Sequence, residues 1–269
     1  MADNSVLKAS ESLKRPSVAH QVLAFVLAFS FLGCAVATAQ KKKSTKPDEK
    51  DPQYQYEKGV IALNYGLPDE AIRYGNLAIT LDPNHYGGWS LLGNAYYRKG
   101  DFADSVAAYE KALALRPDLA EAHTNLGLSY LETGALDKAE AELKQGATGK
   151  KSAIASFTLA KLYFKQGRND EALVEVQESI TIDGRNAGAY NLKGVVLNQL
   201  ERYAEAAGSF QAGLVLAPKD TNLQINLGIA WLNAGDREKA RSVLEKVLPQ
   251  VQDPAAKAKV EEALKTIKN

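Results

Sequence analysis

From residue 52 onward, apolar residues recur at helical intervals in stretches of roughly three turns, an ordinary length for a globular helix. Nowhere does apolar and polar alternation persist long enough for a strand. The stretches GLPDEA, GDFADS, GRNDEA and GDREKA carry turn and cap residues, and each is expected to open a helix. At the C-terminal end, DPAAKAKVEEALKTIKN supplies Asp253 as an N-cap and Pro254 for the first turn. Ala256, Val260, Ala263, Leu264 and Ile267 keep helical spacing there, which predicts one last amphipathic helix. The N-terminal region differs. Lys8, Lys14 and Arg15 precede an apolar run from Val22 to Leu32, and the small residues Gly33, Ala35, Ala37 and Ala39 follow.

The helical region repeats itself. DEAIRYGNLAITLDPN, ADSVAAYEKALALRPD, NDEALVEVQESITIDG and AEAAGSFQAGLVLAPK superimpose at a spacing of 34 residues, with one step of 33. The upstream halves superimpose too: YEKGVIALNYG, WSLLGNAYYRKG, HTNLGLSYLETG, SFTLAKLYFKQG, YNLKGVVLNQLE and QINLGIAWLNAG. Small residues hold the eighth position of each unit (Gly59, Gly93, Gly127, Ala160, Gly194, Gly228) and the twentieth (Ala71, Ser105, Ala139, Ala172, Ala206, Ala240). Such residues let two helices approach closely. Pro83, Pro117 and Pro218 follow the second helices and stop them.

This pattern resembles the tetratricopeptide repeat family, built from helix–turn–helix units of 34 residues. The resemblance implies an all-α fold: a right-handed α-solenoid of about six units, over residues 52–85, 86–119, 120–152, 153–186, 187–220 and 221–253. Residues 254–269 form a capping helix, which a solenoid needs because its last unit would otherwise expose an apolar face. Three departures stand out. Gly75 replaces the usual aromatic, the third unit is one residue short with no proline in QGATGKKS, and Gly184 replaces a proline. They predict a looser joint between the third and fourth units.

The resemblance further implies a concave surface lined by the first helix of each unit, with ligand-facing side chains at the second, fifth, ninth, twelfth and thirteenth positions. Here these include Tyr56, Asn64, Asn94, Tyr97, Arg98, Phe157, Lys161, Phe164, Lys165, Asn191, Asn198, Ile225 and Ile229. The expected groove is amide, aromatic and aliphatic, with a basic patch in the fourth unit. Asn can hydrogen-bond both groups of an extended backbone, and aromatic rings add contact area at small entropic cost. A peptide or helix of another protein is the natural ligand. The Phe residues serve equally well as packing between units, and the Lys residues as a solvated face. The clamp that grips terminal carboxylates in chaperone-binding members is missing, because Tyr56, Val60, Thr124 and Leu128 stand at its positions.

The order of charge, apolar run and small residues at the N-terminus is that of a secretory signal over residues 1–33. Two cleavage patterns overlap. FLGC resembles a bacterial lipobox, which would leave Cys34 as a lipidated first residue. ATA before Gln40 suits ordinary cleavage after Ala39, giving a soluble periplasmic protein. A third reading keeps Val22 to Ala39 as an uncleaved membrane span. That would put the Lys run of KKKSTKPDEKD outside, against the positive-inside tendency. Lipidation at Cys34 is the preferred expectation. Residues 34–51 then form a polar, Lys-rich tether.

Composition adds limits. The chain has 269 residues, one Cys, three scattered His and a formal net charge of +1. One Cys excludes a disulfide framework, and no His spacing suits a metal. No basic stripe with interleaved aromatics suggests nucleic acid as a partner. No nucleophile elbow or phosphate loop is present, so neither catalysis nor a cofactor is expected. The expected function is an exported bacterial scaffold that holds a protein segment in its groove. The layout resembles the pilotins of type IV pili, lipoproteins with about six such repeats that help secretin assembly. The alternatives are an adaptor for peptidoglycan or outer-membrane assembly enzymes, and a soluble periplasmic holdase-like chaperone.

Overall fold

The computed structural model describes residues 48–148 and 152–268. The apolar N-terminal segment, Cys34 and the tether as far as residue 47 lie outside the described residues, as do the Lys residues at 150 and 151. One compact unit runs over Glu49–Asn269. Its described residues form thirteen α-helices and no strand. Twelve of them make six antiparallel hairpins: α1 (Pro52–Asn64) with α2 (Pro68–Leu81), α3 (Tyr86–Lys99) with α4 (Phe102–Leu115), and α5 (Ala120–Glu132) with α6 (Leu136–Ala147). Next come α7 (Ala153–Lys165) with α8 (Asn169–Ile182), α9 (Ala187–Gln199) with α10 (Tyr203–Leu216), and α11 (Thr221–Asn233) with α12 (Arg237–Val247). A short 3₁₀ turn, Leu248–Gln250, leads to the last helix, α13 (Pro254–Lys268). No helix among the described residues is long and apolar enough to cross a membrane.

The two helices of each hairpin start differently. Side chains cap most of the first helices: Asp51, His85, Ser152, Asn186 and Asp220 each accept from a backbone N–H of the first turn. The second helices were expected to be capped in the same way. Of GLPDEA, GDFADS, GRNDEA and GDREKA, only the last supplies a bonded cap, Asp236, which accepts from Lys239 N at 3.1 Å. Asp101 of GDFADS sits at the N-cap position without a cap bond, and the other acidic residues of these three lie inside the first turn, where they favour the helix through its dipole. Each hairpin turn holds one residue in the left-handed region. In five turns it is Gly, and in the fifth hairpin it is Glu201 at φ 59°. At the far ends, Asp82, Arg116 and Ala217 leave the helical conformation, as residues before proline do.

The small residues at the eighth position work by close approach. A Cβ on Gly93 would lie 2.8 Å from the ring of Tyr109, and one on Gly194 would lie 2.5 Å from that of Phe210. Gly127 and Gly228 meet Leu143 and Leu244 in the same way. The fourth hairpin carries Ala160 at this position, and the opposing residue is the smaller Val176. In the first hairpin the opposing residue is Gly75, and Leu91 and Leu92 of α3 fill the space.

Packing therefore forms a row of apolar clusters rather than one core. The joint after the third hairpin was expected to be looser; its two helices do pack over less of their length than those at the other joints, yet apolar side chains close it. Leu143 of α6 shares one cluster with Ala155, Leu159 and Tyr163 of α7. Glu140 of α6 also bonds Arg168 at 2.7 Å across the joint. At the end of the row, Val260, Ala263 and Ile267 of α13 cover Ile225, Leu244 and Val247. Asp253 caps α13, accepting from Ala256 N at 2.7 Å.

Candidate functional site

The first helices of the first three hairpins enclose a cleft of about 350 Å³. Four of the expected groove residues meet there: Tyr56, Asn64, Asn94 and Arg98. Tyr86, Ser90, Glu121 and Asn125 complete the polar lining. Tyr97 does not join them. Its ring packs edge-on to Phe102 of its own hairpin, with centroids 5.4 Å apart. Partial burial raises the hydroxyl pKa of both Tyr56 and Tyr97.

Asn94 is fixed by its neighbours. Its Oδ1 accepts from Tyr109 Oη at 2.7 Å and from Asn125 Nδ2 at 3.1 Å. With the carbonyl oxygen engaged twice, Nδ2 is the atom left for a ligand. Tyr109 is 1% exposed, and burial pushes its hydroxyl pKa well up. Arg98 donates to the carbonyl of Leu63 at 2.7 Å, which ties the second hairpin to the last turn of α1. At the cleft edge, the Arg116 guanidinium lies 4.7 Å over the Tyr86 ring and donates to its hydroxyl at 2.6 Å.

A second and larger cleft, about 990 Å³, opens between the third and fourth hairpins. It shares Leu119, Glu121 and Asn125 with the first, so the two form one track. Gln145, Thr148, Ser152 and Ile154 line its far side. In its lining, His123 is held between Glu142 Oε2 at 2.6 Å and the carbonyl of Pro117 at 2.9 Å.

The remaining expected residues fall on α7, α9 and α11. Phe157 is half-buried against Ala160, Val176 and Ala189, and Phe164 packs on the cluster around Tyr163. Lys161 holds its ammonium 5.8 Å from the Phe157 ring, and both Lys161 and Lys165 are exposed. Asn191 Oδ1 accepts from Asn226 Nδ2 at 3.0 Å, an amide pair between hairpins like that of Asn94 with Asn125 but without a tyrosine hydroxyl. Asn198 is half-buried and its Oδ1 has no partner. Ile225 is a correction. It is 5% exposed inside the terminal cluster, because α13 packs over the face it was expected to open to a ligand. Ile229 is half-buried on the same cluster.

The residues missed from sequence are the amides that orient the others. Asn125 and Asn226 both occupy the sixth position of their units, and that recurrence was the visible signal. Among the described residues, no group of three His, Cys, Asp or Glu is placed to hold a metal ion.

Stacked helical hairpins with a polar track along their first helices define a repeat solenoid. Residues 93–134 match the family described as TPR repeat, and residues 157–221 and 197–263 match families described as tetratricopeptide repeat. The chain belongs to the tetratricopeptide repeat family. It is 27% identical over 218 residues to a peroxisomal targeting signal receptor of Candida albicans, covering 75% of this chain and 35% of that one. The chain spans less than half the length of the first curated relatives it matches. Two solved structures share the fold. Pseudomonas aeruginosa pilF superimposes with a TM-score of 0.70 at 14% identity, over 80% of this chain and 98% of its own. YrrB, described as a TPR protein with an unusual peptide-binding site, gives a TM-score of 0.63 at 20% identity, over 70% of this chain and 97% of its own.

Proposed function

We propose that this protein is an adaptor that holds an extended segment of a partner protein along the track formed by its first helices. One observation carries the reading. Asn94 and Asn191 each have the carbonyl oxygen engaged by an Asn of the following hairpin, so each offers Nδ2 to a ligand. Fixed amide donors at intervals along a track suit the carbonyls of an extended backbone. Ordering them before the ligand arrives lowers the entropy lost on binding. The peptide site named for YrrB supports the same reading.

The setting we propose is a bacterial envelope, with the chain exported and held on a membrane by a lipid on Cys34. There it assists assembly of a larger complex, and a type IV pilus secretin is the leading candidate. The support is the FLGC sequence and the likeness in shape to pilF. Mass spectrometry of the mature N-terminus, with and without globomycin, tests the anchor; a first residue other than acylated Cys34 rejects it.

The groove is tested by photocrosslinking in native cells. A photoreactive residue replaces Asn64 in the cleft or Val174, which is 67% exposed on the second helix α8. A single partner species captured from position 64 and absent from position 174 supports the reading. Equal capture from both positions rejects it.

A further inference from the structure

We propose that the fourth hairpin selects the partner by charge, taking a segment in which acidic side chains adjoin an apolar one. The proposal rests on the reading that the track holds a peptide, and adds what that peptide must carry. Ile154, Phe157, Lys161 and Lys165 stand at helical intervals along one stripe of α7. Ile154 is 63% exposed and borders the larger cleft. Phe157 is only half-covered, and Lys161 lies beside its ring.

The distribution of charge points to an acidic ligand. Helices α7, α9 and α11 contain no Asp or Glu, whereas their partners α8, α10 and α12 all do. Several cations elsewhere are paired: Lys99 with Asp69, Lys144 with Glu140, Arg202 with Glu205 and Lys239 with Asp236. Among the described residues, no carboxylate lies within ion-pair distance of Lys161 or Lys165. Of the acids on α6 and α8, Glu140 and Glu171 are engaged by Arg168 and Glu142 by His123, while Glu175 bonds Ser156 of α7. Lys193, the other cation of the three helices, donates to Gln177 of α8 at 2.7 Å.

Two neighbouring ammonium groups on a helix that carries no carboxylate create a local positive potential, which attracts and orients an acidic segment. The exposed Ile154 and the edge of Phe157 accept its apolar side chain. Glu121 lines the track one hairpin earlier, so the acidic stretch is confined to the part of the segment that reaches α7.

The test is selection of binders from a random peptide library by the full chain, alongside Lys161→Glu/Lys165→Glu and Lys161→Arg/Lys165→Arg. Circular dichroism confirms that both variants fold. The expected result is enrichment of Asp or Glu next to an apolar residue with the native and arginine chains. Charge reversal should weaken the best selected peptide roughly tenfold. Peptides selected without acidic enrichment, or an affinity indifferent to charge reversal, overturn this proposal and leave the peptide-binding reading standing. Failure to select any peptide overturns both. Displacement of the selected peptide by phosphatidylglycerol vesicles, with equal sensitivity to charge reversal, overturns it in favour of a membrane surface.

Discussion

Asn94 shows how a residue can face a ligand and still belong to the fold. Its carbonyl oxygen is an acceptor for the hydroxyl of Tyr109, which is 1% exposed. Asn94→Ala leaves that hydroxyl buried without an acceptor, and a loss of about 1–3 kcal/mol is expected by urea unfolding. Asn191→Ala should cost less, about 0.5–1.5 kcal/mol, because Asn226 is only half-buried and can turn to water. Asn64 is exposed and is the cleaner probe of binding. Glu140 is a second case, one of electrostatics. Arg168 first, and Lys144 and the Tyr163 hydroxyl with it, hold its carboxyl down at about 2, against an ordinary value of 4.5. A lowered folded pKa means that the unfolded chain takes up the proton first. The stabilisation is therefore full above pH 4.5 and is lost as pH falls towards 2. Glu140→Gln should lower stability at pH 7 and flatten the decline below pH 4.5, as read by thermal unfolding across that range. A parallel decline in both proteins would show that the bond across the joint adds nothing.

Within the hairpins, the eighth position and the residue opposite it act as a matched pair. Gly with Tyr109, Leu143, Phe210 or Leu244 is one solution, and Ala160 with Val176 is another of smaller reach. Gly194→Ala should cost about 1–3 kcal/mol by overpacking against Phe210. The same substitution should cost less when Phe210→Val is already present, and a double-mutant cycle reads the difference. Additive losses would mean that the pairing is incidental. Matched small and large residues are also why the hairpins were legible in the sequence, since close approach leaves few choices at those positions. The groove was less legible. A period assigns faces but does not say what lies over a face, so Ile225 was read as open although α13 covers it. Nor does a period give amide orientation, which depends on contacts such as Asn125 with Asn94, formed between hairpins. The joint after the third hairpin was legible only in part: the short, proline-free linker marks a thinner contact, but not that Leu143 packs on Ala155, Leu159 and Tyr163 across it.

At the scale of the whole repeat array, neighbours supply stability, so the ends are where it should fail first. The two ends of the described structure are finished differently. At one end, Lys58 lies over the rings of Tyr54 and Tyr74 at 5.4 and 4.6 Å, where the corresponding positions of the second, third and fourth hairpins bury Leu92, Leu126 and Leu159. At the other end an entire helix covers Ile225, Leu244 and Val247. Removing residues 254–269 strips Val260, Ala263 and Ile267 from that cluster and opens a contiguous apolar face. Because each hairpin touches mainly its neighbours, the loss should stay local. Amides of α11 and α12 should lose hydrogen-exchange protection first, those of α9 and α10 less, and those of α1 to α6 least. The same exposed face should make the shortened chain self-associate with rising concentration, as light scattering would detect. A uniform loss of protection from α1 to α12 would instead mean that the array folds as a single cooperative block, and that its covered end protects every hairpin equally.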